Sequence, residues 1–359
     1  MYKLIRSILF LWQPETIHDF VSAVLKLVDK IPLLPSLVRL IYCYRKPCLE
    51  REVFGVKFKN PVGLAAGFDK DGDAYNALSN FGFGFVEIGS LTPYPQEGNP
   101  KPRCFRLTKD LALINRMGIN NKGIKHAVAH LNKDKSRCPI GCSITKGRDT
   151  SMADAYKDYE FSFEFMYDFV DYFVLNVSCP NVKDATRNQS LENITPVIDK
   201  LLELRIMYDD YRPILLKISP DVTKEYLDDI INLVLISGLD GIIAANTTSK
   251  REGLASGKNV VSKIGQGGLS GKPLYERSLE LVKYIYEKTN GHLPIIASGG
   301  IMTPAQAMEM LDSGASLIQV YTGFIYNGPK YAKKINKFIA RTLQERQRQK
   351  EDSKKASKR

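Results

Sequence analysis

Residues that build metal centres and disulfide frameworks are scarce in this chain. It has four histidines and six cysteines among 359 residues, and no two cysteines form a C-x-x-C pair. The cysteines are Cys43, Cys48, Cys104, Cys138, Cys142 and Cys179. Zinc sites and disulfide-stapled domains need clustered ligands. We therefore predict no metal site and a reducing, cytosol-facing environment.

Long apolar runs are also missing. A transmembrane helix needs about 20 consecutive apolar residues, and charges such as Lys3 and Arg6 break every candidate run. Residues 1–11 are too short an apolar run for a signal peptide, and no small-residue cleavage site follows them. The sequence thus predicts neither a spanning helix nor a cleaved leader.

The net charge of +12 is partly concentrated in a polar, basic tail over residues 341–359. We predict that this tail is disordered and solvated. Attraction to an anionic membrane surface is the alternative. Nucleic-acid binding is disfavoured, because no recognisable binding module accompanies the charge.

The N-terminal segment, residues 1–45, predicts two short amphipathic helices. Apolar residues recur at helical spacing between Ile17 and Ile31, with Pro14 at the predicted start and Pro32 after the end. A second apolar stretch follows at residues 33–41. Such helices, flanked by basic residues, either lie in a membrane interface or pack on the main domain. The pattern leaves both possibilities open.

Residues 46–340 alternate short apolar strands with helical stretches, which predicts a (β/α)8 TIM barrel, with an open doubly wound sheet as the alternative. Most strands are continuously apolar, as expected of parallel strands covered on both faces. The predicted strands are Val62–Ala66, Phe85–Ser90, Ile140–Ile144, Tyr172–Val177, Ile214–Ile218, Gly241–Asn246, Ile295–Ser298 and Leu317–Tyr321.

Polar residues gather at the carboxyl ends of these strands, as at Asp69, Lys70, Ser90, Asn246 and Thr247. Barrel enzymes assemble their active sites on that rim, so the distribution predicts an enzyme. Glycine-rich stretches at 298–301 and 321–324 follow the last two strands, where barrels often bind phosphate. With a third stretch at 266–271, they indicate a phosphate-bearing ligand.

Lys217 is the single basic residue in the apolar strand 214–218. A buried lysine needs an anionic partner or a depressed pKa. It could be a Schiff-base nucleophile, a cation beside a cofactor that becomes anionic, or the partner of a barrel carboxylate. Residues 115–121 and 176–181 are rich in carboxamides, which suit either a planar ligand such as a pyrimidine or tight turns.

These motifs together resemble the dihydroorotate dehydrogenases, and more closely their membrane-associated, quinone-dependent class. The resemblance runs from about Pro14 to Phe338. It is carried by Ala65–Lys70, Glu87–Pro93, Asn99–Arg103, Asn115–Gly118, Asn176–Asn181, Asn246–Thr248, Gly267–Gly271 and Ser298–Ile301.

The resemblance implies a barrel that holds FMN and oxidises dihydroorotate to orotate in pyrimidine synthesis. The implied FMN contacts are Ala66, Gly67, Phe68, Asp69, Lys70, Ser90, Ser143, Asn176, Lys217, Ala245, Gly271, Gly300, Tyr321 and Thr322. The implied substrate contacts are Lys70, Asn115, Arg116, Met117, Gly118, Ile119, Asn176, Asn181, Asn246 and Thr247. Cys179 stands at the position of the catalytic base.

The base loop departs from the pattern of the membrane-associated class. That class carries serine where this chain has Cys179, threonine at Val182 and phenylalanine at Ile119. Ser143 and Ala245 replace an asparagine and a threonine that usually contact the flavin. The chain therefore resembles a hybrid, with the scaffold of the membrane class and the cysteine base of the soluble class.

The same resemblance makes residues 1–45 a membrane and quinone-access segment. It places His18, Arg106 and Tyr321 along a quinone tunnel and implies ubiquinone or menaquinone as the final acceptor. The absence of an evident transit peptide favours the cytoplasmic face of a bacterial inner membrane over a mitochondrial one. Three alternatives remain: a soluble-type enzyme that reduces fumarate or NAD, a Schiff-base aldolase on the same barrel, and a non-catalytic membrane or flavin-binding module.

Overall fold

The structure, a computed structural model, describes residues 2–131, 136–177 and 190–357. It begins with three helices, α1 (Tyr2–Leu9), α2 (Pro14–Lys30) and α3 (Leu34–Tyr42). Helix α1 precedes the two that the apolar pattern predicts. Its Arg6 donates a hydrogen bond to the Tyr326 carbonyl, so the charge that interrupts the apolar run serves a contact with the barrel. Within the described ranges, no helix is long and apolar enough to cross a membrane.

The main domain is a closed eight-stranded parallel barrel, which confirms the predicted (β/α)8 fold. The barrel strands are β3 (Val62–Asp69), β4 (Phe85–Leu91), β7 (Ile140–Ile144), β8 (Tyr172–Asn176), β9 (Ile214–Ile218), β10 (Gly241–Ala244), β12 (Ile295–Ser298) and β13 (Leu317–Val320). A hairpin of β1 (Arg51–Val53) and β2 (Val56–Phe58) precedes them. Val53 and Phe58 of this hairpin pack on Phe85 and Tyr172 at the amino-terminal end of the barrel.

Helices pack around the barrel and connect its strands. They are α4 (Tyr75–Ser79), α5 (Ile124–His130), α6 (Ala155–Met166), α7 (Leu191–Arg205), α8 (Lys224–Ser237), α9 (Lys258–Ile264), α10 (Tyr275–Lys288), α11 (Pro304–Asp312), α12 (Thr322–Asn327) and α13 (Tyr331–Ala356). Thr303 caps α11 as predicted: its side chain accepts a hydrogen bond from the Gln306 backbone N–H, which completes a capping box.

An antiparallel sheet that the sequence did not predict lies beside the barrel. It consists of β5 (Cys104–Leu107), β6 (Ala112–Asn115) and β11 (Gly268–Gly271). Strand β11 pairs with β6 across a long stretch of chain, with Gly268 opposite Asn115. The local sequence of these stretches indicates turns and carboxamides. It does not identify a strand partner that is so distant along the chain.

Helix α13 is the last element that the structure describes, and it differs from the predicted disordered tail. Tyr331, Ile335 and Ile339 are buried against the barrel. From Arg341 onward the residues are mostly exposed, yet they remain helical to Ala356. The segment is rich in Gln, Glu, Lys and Arg, which are good helix formers. The prediction of a disordered tail used its polar composition and did not weigh this helix propensity.

Candidate active site

A cavity of about 480 Å³ lies at the carboxyl ends of the barrel strands. One end is polar and is lined by Lys70, Asn115, Asn176, Lys217 and Asn246. The other end is apolar and lies under the N-terminal helices, where it is lined by Leu9, Phe10, Ile17, Val21 and Leu25. The two ends belong to one continuous space, as expected for a barrel whose rim carries the site.

Most residues that the sequence nominates come together in this cavity. They are His18, Ala66, Gly67, Phe68, Lys70, Ser90, Arg106, Asn115, Met117, Gly118, Ile119, Asn176, Lys217, Ala245, Asn246, Thr247, Gly271, Gly300, Tyr321 and Thr322. Asp69, Ser143 and Arg116 are not among the lining residues. Cys179 and Asn181 lie outside the described residues, so their roles stay predictions.

Two of the three nominated residues that do not line the cavity, Asp69 and Arg116, have other partners. The Asp69 carboxylate accepts hydrogen bonds from the backbone N–H groups of Asp73 and Ala74, at 3.0 and 2.9 Å. Burial raises the pKa of Asp69 to about 6. The Arg116 guanidinium lies 4.7 Å from the Phe105 ring centroid and donates to the Ile264 carbonyl. These side chains hold loops around the cavity.

The polar end is ordered by a chain of hydrogen bonds. The Asn176 amide donates to Ser90 Oγ at 2.7 Å, and Ser90 Oγ lies 2.7 Å from Ser143 Oγ. The Asn246 amide donates to Asn176 Oδ1 at 3.3 Å. Ser143 thus contacts Ser90 and does not reach the cavity itself. The network orients the carboxamides of Asn176 and Asn246, which line the cavity.

Lys217 confirms one of the three roles that the sequence left open, the pairing with a barrel carboxylate, while the Schiff-base and cofactor roles stay predictions. Its ammonium lines the cavity, and it also pairs with a barrel carboxylate, because its Nζ lies 3.2 Å from Glu87 Oε1. The Gln319 amide donates to the other oxygen of Glu87. Sequence reasoning missed Glu87 and Gln319. The signal was present, since a glutamate and a glutamine inside apolar strands need buried partners.

Lys70 and His18 both line the cavity, and the positive charge of Lys70 acts on the His18 ring. Burial lowers the pKa of the Lys70 ammonium. Burial, and then the positive charge of Lys70, lower the pKa of His18 to about 4. The His18 ring packs edge-on against Phe68 at 5.1 Å. His18 is therefore neutral at physiological pH and suits the apolar end of the cavity.

Helix α1 closes one side of the apolar end. The Arg106 guanidinium lies 4.4 Å from the Phe10 ring centroid and donates to the Trp12 carbonyl at 2.6 Å. Phe10 packs edge-on against Tyr326 at 5.4 Å, and the Tyr2 hydroxyl donates to the Ile325 carbonyl at 2.6 Å. The apolar pattern predicted no helix over residues 2–9, because charges interrupt the apolar run there.

Helix α2 presents apolar residues on two sides. Ile17, Val21 and Leu25, spaced four residues apart, line the cavity. Phe20 and Leu27 are 59% and 60% exposed. Packing on the main domain, one of the two alternatives that the sequence left open, is therefore confirmed for one face of α2, while the membrane interface stays a prediction for the exposed face.

A carboxylate on the barrel fixes the far end of α2. Asp73 Oδ2 lies 2.5 Å from Lys26 Nζ of α2 and 2.9 Å from Lys122 Nζ, while its Oδ1 lies 2.8 Å from His126 Nε2. Asp73, His126 and His130 bring possible metal-ligand atoms within 4.8 Å of one another. Two ammonium groups already engage the carboxylate, and like charges disfavour a cation there.

The fold and the site are those of a barrel enzyme. The carboxyl end of the β/α barrel carries a buried cation, carboxamides and glycine-rich backbone, and barrel enzymes assemble their active sites there. A family model described as dihydroorotate dehydrogenase matches residues 48–343. The chain therefore belongs to the dihydroorotate dehydrogenase family, whose members are flavin-dependent oxidoreductases.

Individual relatives agree with this assignment over nearly the whole chain. A protein of Christiangramia forsetii named dihydroorotate dehydrogenase (quinone) is 49% identical over 94% of this chain and 98% of its own length. One of the same name from Rhodococcus opacus is 42% identical over 96% of each chain. The ligand-free dihydroorotate dehydrogenase of Eimeria tenella superposes with a TM-score of 0.83 at 36% identity, covering 92% of this chain and 95% of that one.

Proposed function

We propose that this protein oxidises (S)-dihydroorotate to orotate in the de novo synthesis of UMP, with FMN as hydride acceptor and a quinone as final electron acceptor. The observation that carries the proposal is the continuous cavity, which joins a polar pocket on the barrel rim to an apolar pocket under α1 and α2. A polar, ring-shaped acid suits the first pocket, and a lipophilic acceptor suits the second.

The residues at the polar end fit a flavin nucleotide. Backbone at Gly299, Gly300 and Gly323 lines the cavity without side chains, which allows N–H groups to approach a phosphate. Gln319 Oε1 is buried and has no hydrogen-bond partner among the described residues, so it can accept from a ligand. Lys217 supplies a positive charge beside that acceptor. FMN, when bound, supplies the hydride acceptor for C6 of the substrate.

Substrate binding is assigned to the side chains of the polar end. Lys70 pairs with the carboxylate of dihydroorotate, because its buried ammonium gains most from an anionic partner. Asn115, Asn176 and Asn246 offer amide donors and carbonyl acceptors to the pyrimidine ring. Cys179 removes the proton from C5, and such general-base help is worth roughly 10²–10⁴-fold.

The quinone is assigned to the apolar end, with His18, Arg106 and Tyr321 along its path. Exposed apolar side chains around this end extend over all three N-terminal helices. They include Leu4, Ile8, Leu11, Phe20, Leu27, Leu33, Leu37 and Leu40. This surface suits the interface of a membrane, where the quinone is dissolved. We assign the protein to the cytoplasmic face of a bacterial inner membrane as a peripheral protein.

An anaerobic absorbance scan before and after addition of dihydroorotate tests the reaction. The purified protein should be yellow, and dihydroorotate should bleach it. A yellow protein that is not bleached would be a flavin-binding module without this activity. A colourless protein that traps its substrate on Lys217 with borohydride would be an aldolase.

The acceptor is tested by adding decylubiquinone, fumarate or NAD to the bleached protein. The quinone should restore the yellow colour fastest. Deletion of residues 1–45 should abolish this step and leave bleaching by dihydroorotate intact. Equal reoxidation of the truncated and full-length proteins by quinone would contradict the assignment and favour the soluble type of acceptor.

A further inference from the structure

Three polar side chains meet inside the barrel beneath the cavity. Glu87 on β4, Lys217 on β9 and Gln319 on β13 are 0%, 5% and 1% exposed. Their strands are not neighbours in the barrel, so the side chains meet across its interior. Glu87 Oε1 lies 3.2 Å from Lys217 Nζ, and Glu87 Oε2 accepts from Gln319 Nε2.

The chemistry of the carboxylate fixes the orientation of the amide. An ionised carboxylate can only accept hydrogen bonds, so Gln319 must turn its Nε2 toward Glu87. Its Oε1 is then left without a partner among the described residues. Both Lys217 and Gln319 line the cavity, whereas Glu87 does not. The carboxylate therefore acts on any ligand through these two side chains.

We propose that Glu87 is a positioning residue that fixes the Lys217 ammonium at the floor of the flavin site and cancels much of its charge there. Gln319 holds the carboxylate from the opposite side. The inference deepens the proposed function and rests on it. The floor then presents a paired cation with a net charge near zero, which limits how strongly it stabilises the anionic reduced flavin.

Charge cancellation predicts shifts of opposite sign in the midpoint potential of the bound flavin. Glu87→Gln removes the negative charge, while the new amide oxygen can still accept from Lys217, so the equilibrium should move at least tenfold toward reduced flavin. Lys217→Met should move it at least tenfold toward oxidised flavin. For a two-electron couple, tenfold is about 30 mV.

The double variant, Glu87→Gln with Lys217→Met, removes both charges and should return to within about threefold of the wild-type equilibrium, as expected of coupled charges. It also guards against misfolding, because replacing both members of a buried ion pair is tolerated far better than removing one. Tyr172→Phe is the matched control. Tyr172 is buried in the same barrel and does not line the cavity, so this variant should keep the wild-type potential.

Potentials are measured by equilibrium reduction against a reference dye, and FMN affinity by fluorescence quenching of free FMN on titration with apoprotein. Single variants that shift the potential in the same direction, or a double variant displaced further than either, would overturn the positioning role. Failure of the wild-type protein to bind FMN or to be bleached by dihydroorotate would instead refute the proposed function. The two failures are therefore distinguishable.

Discussion

One well-buried ion pair attaches the first turn of α2 to the barrel. Glu15, in the first turn of α2, accepts from Arg103 Nη2 at 2.7 Å and from its Nε at 3.1 Å. The two side chains are only 13% and 8% exposed. Burial opposes ionisation of Glu15, but the hydrogen bonds and positive charges of Arg103 and Lys101 together outweigh it and lower the pKa of the carboxyl. Glu15→Gln should therefore loosen α2 from the barrel.

The size of this effect follows from the geometry. Hydrogen bonds to charged groups contribute about 1.5–3 kcal/mol, and each 1.4 kcal/mol is a factor of about ten. Loss of the charge should therefore raise the opening equilibrium of α2 roughly 10- to 100-fold. Lys101 offers a matched control, since it reaches the same carboxylate at 3.3 Å but is 64% exposed. Lys101→Met should cost at most about 1 kcal/mol.

Native-state hydrogen exchange of the α2 amides measures the opening directly. Steady-state kinetics should show a higher KM for quinone in the Glu15→Gln variant, with unchanged bleaching by dihydroorotate. Wild-type exchange rates across residues 14–30 in Glu15→Gln would refute the reasoning. So would an equal effect of Lys101→Met, because exposure would then not distinguish the two contacts.

Other predictions address pH, the base and the membrane. Burial raises the pKa of Asp73, but the hydrogen bonds from Lys26, Lys122 and His126 outweigh this and lower it. The stabilising contribution of Asp73 is therefore present above pH 3.8 and is lost as the pH falls below it. Asp73→Asn should lower the free energy of unfolding by about 1–3 kcal/mol near neutrality and make it depend less on pH in the acidic range. A thiol ionises more easily than a hydroxyl, so Cys179→Ser should move the ascending, acidic limb of the pH–rate profile to higher pH; an unchanged profile would exclude this base. Flotation with anionic liposomes should recover the full-length protein and leave the protein lacking residues 1–45 behind.

Fold and rim residues were predictable because both follow from local sequence. The eight parallel strands are short and apolar, and each predicted strand overlaps an observed one. Lys70, Asn246 and Thr247 were identified as rim residues from their position at the carboxyl ends of strands, which is where barrels assemble their sites. The closed topology then brings them to one cavity.

Long-range pairings were not predictable from the same patterns. The β6–β11 pairing joins Asn115 to Gly268 through backbone hydrogen bonds, which leave little trace in composition. The sequence predicted that a carboxylate could pair with Lys217. It did not identify this carboxylate as Glu87, because the two residues meet only across the interior of the closed barrel. Helix α1 was not predicted, because Arg6 interrupts its apolar run. In the structure Arg6 contacts Tyr326 of α12, and a local pattern does not show this contact.

A crystal structure with FMN, orotate and a quinone analogue tests the central claim most directly. We expect the flavin ring beside Lys217, orotate against Lys70 and the carboxamides, and the analogue between α1, α2 and the barrel. The sulfur of Cys179 should face C5 of orotate. An analogue bound outside this cavity, or a flavin ring distant from Lys217, would contradict the account.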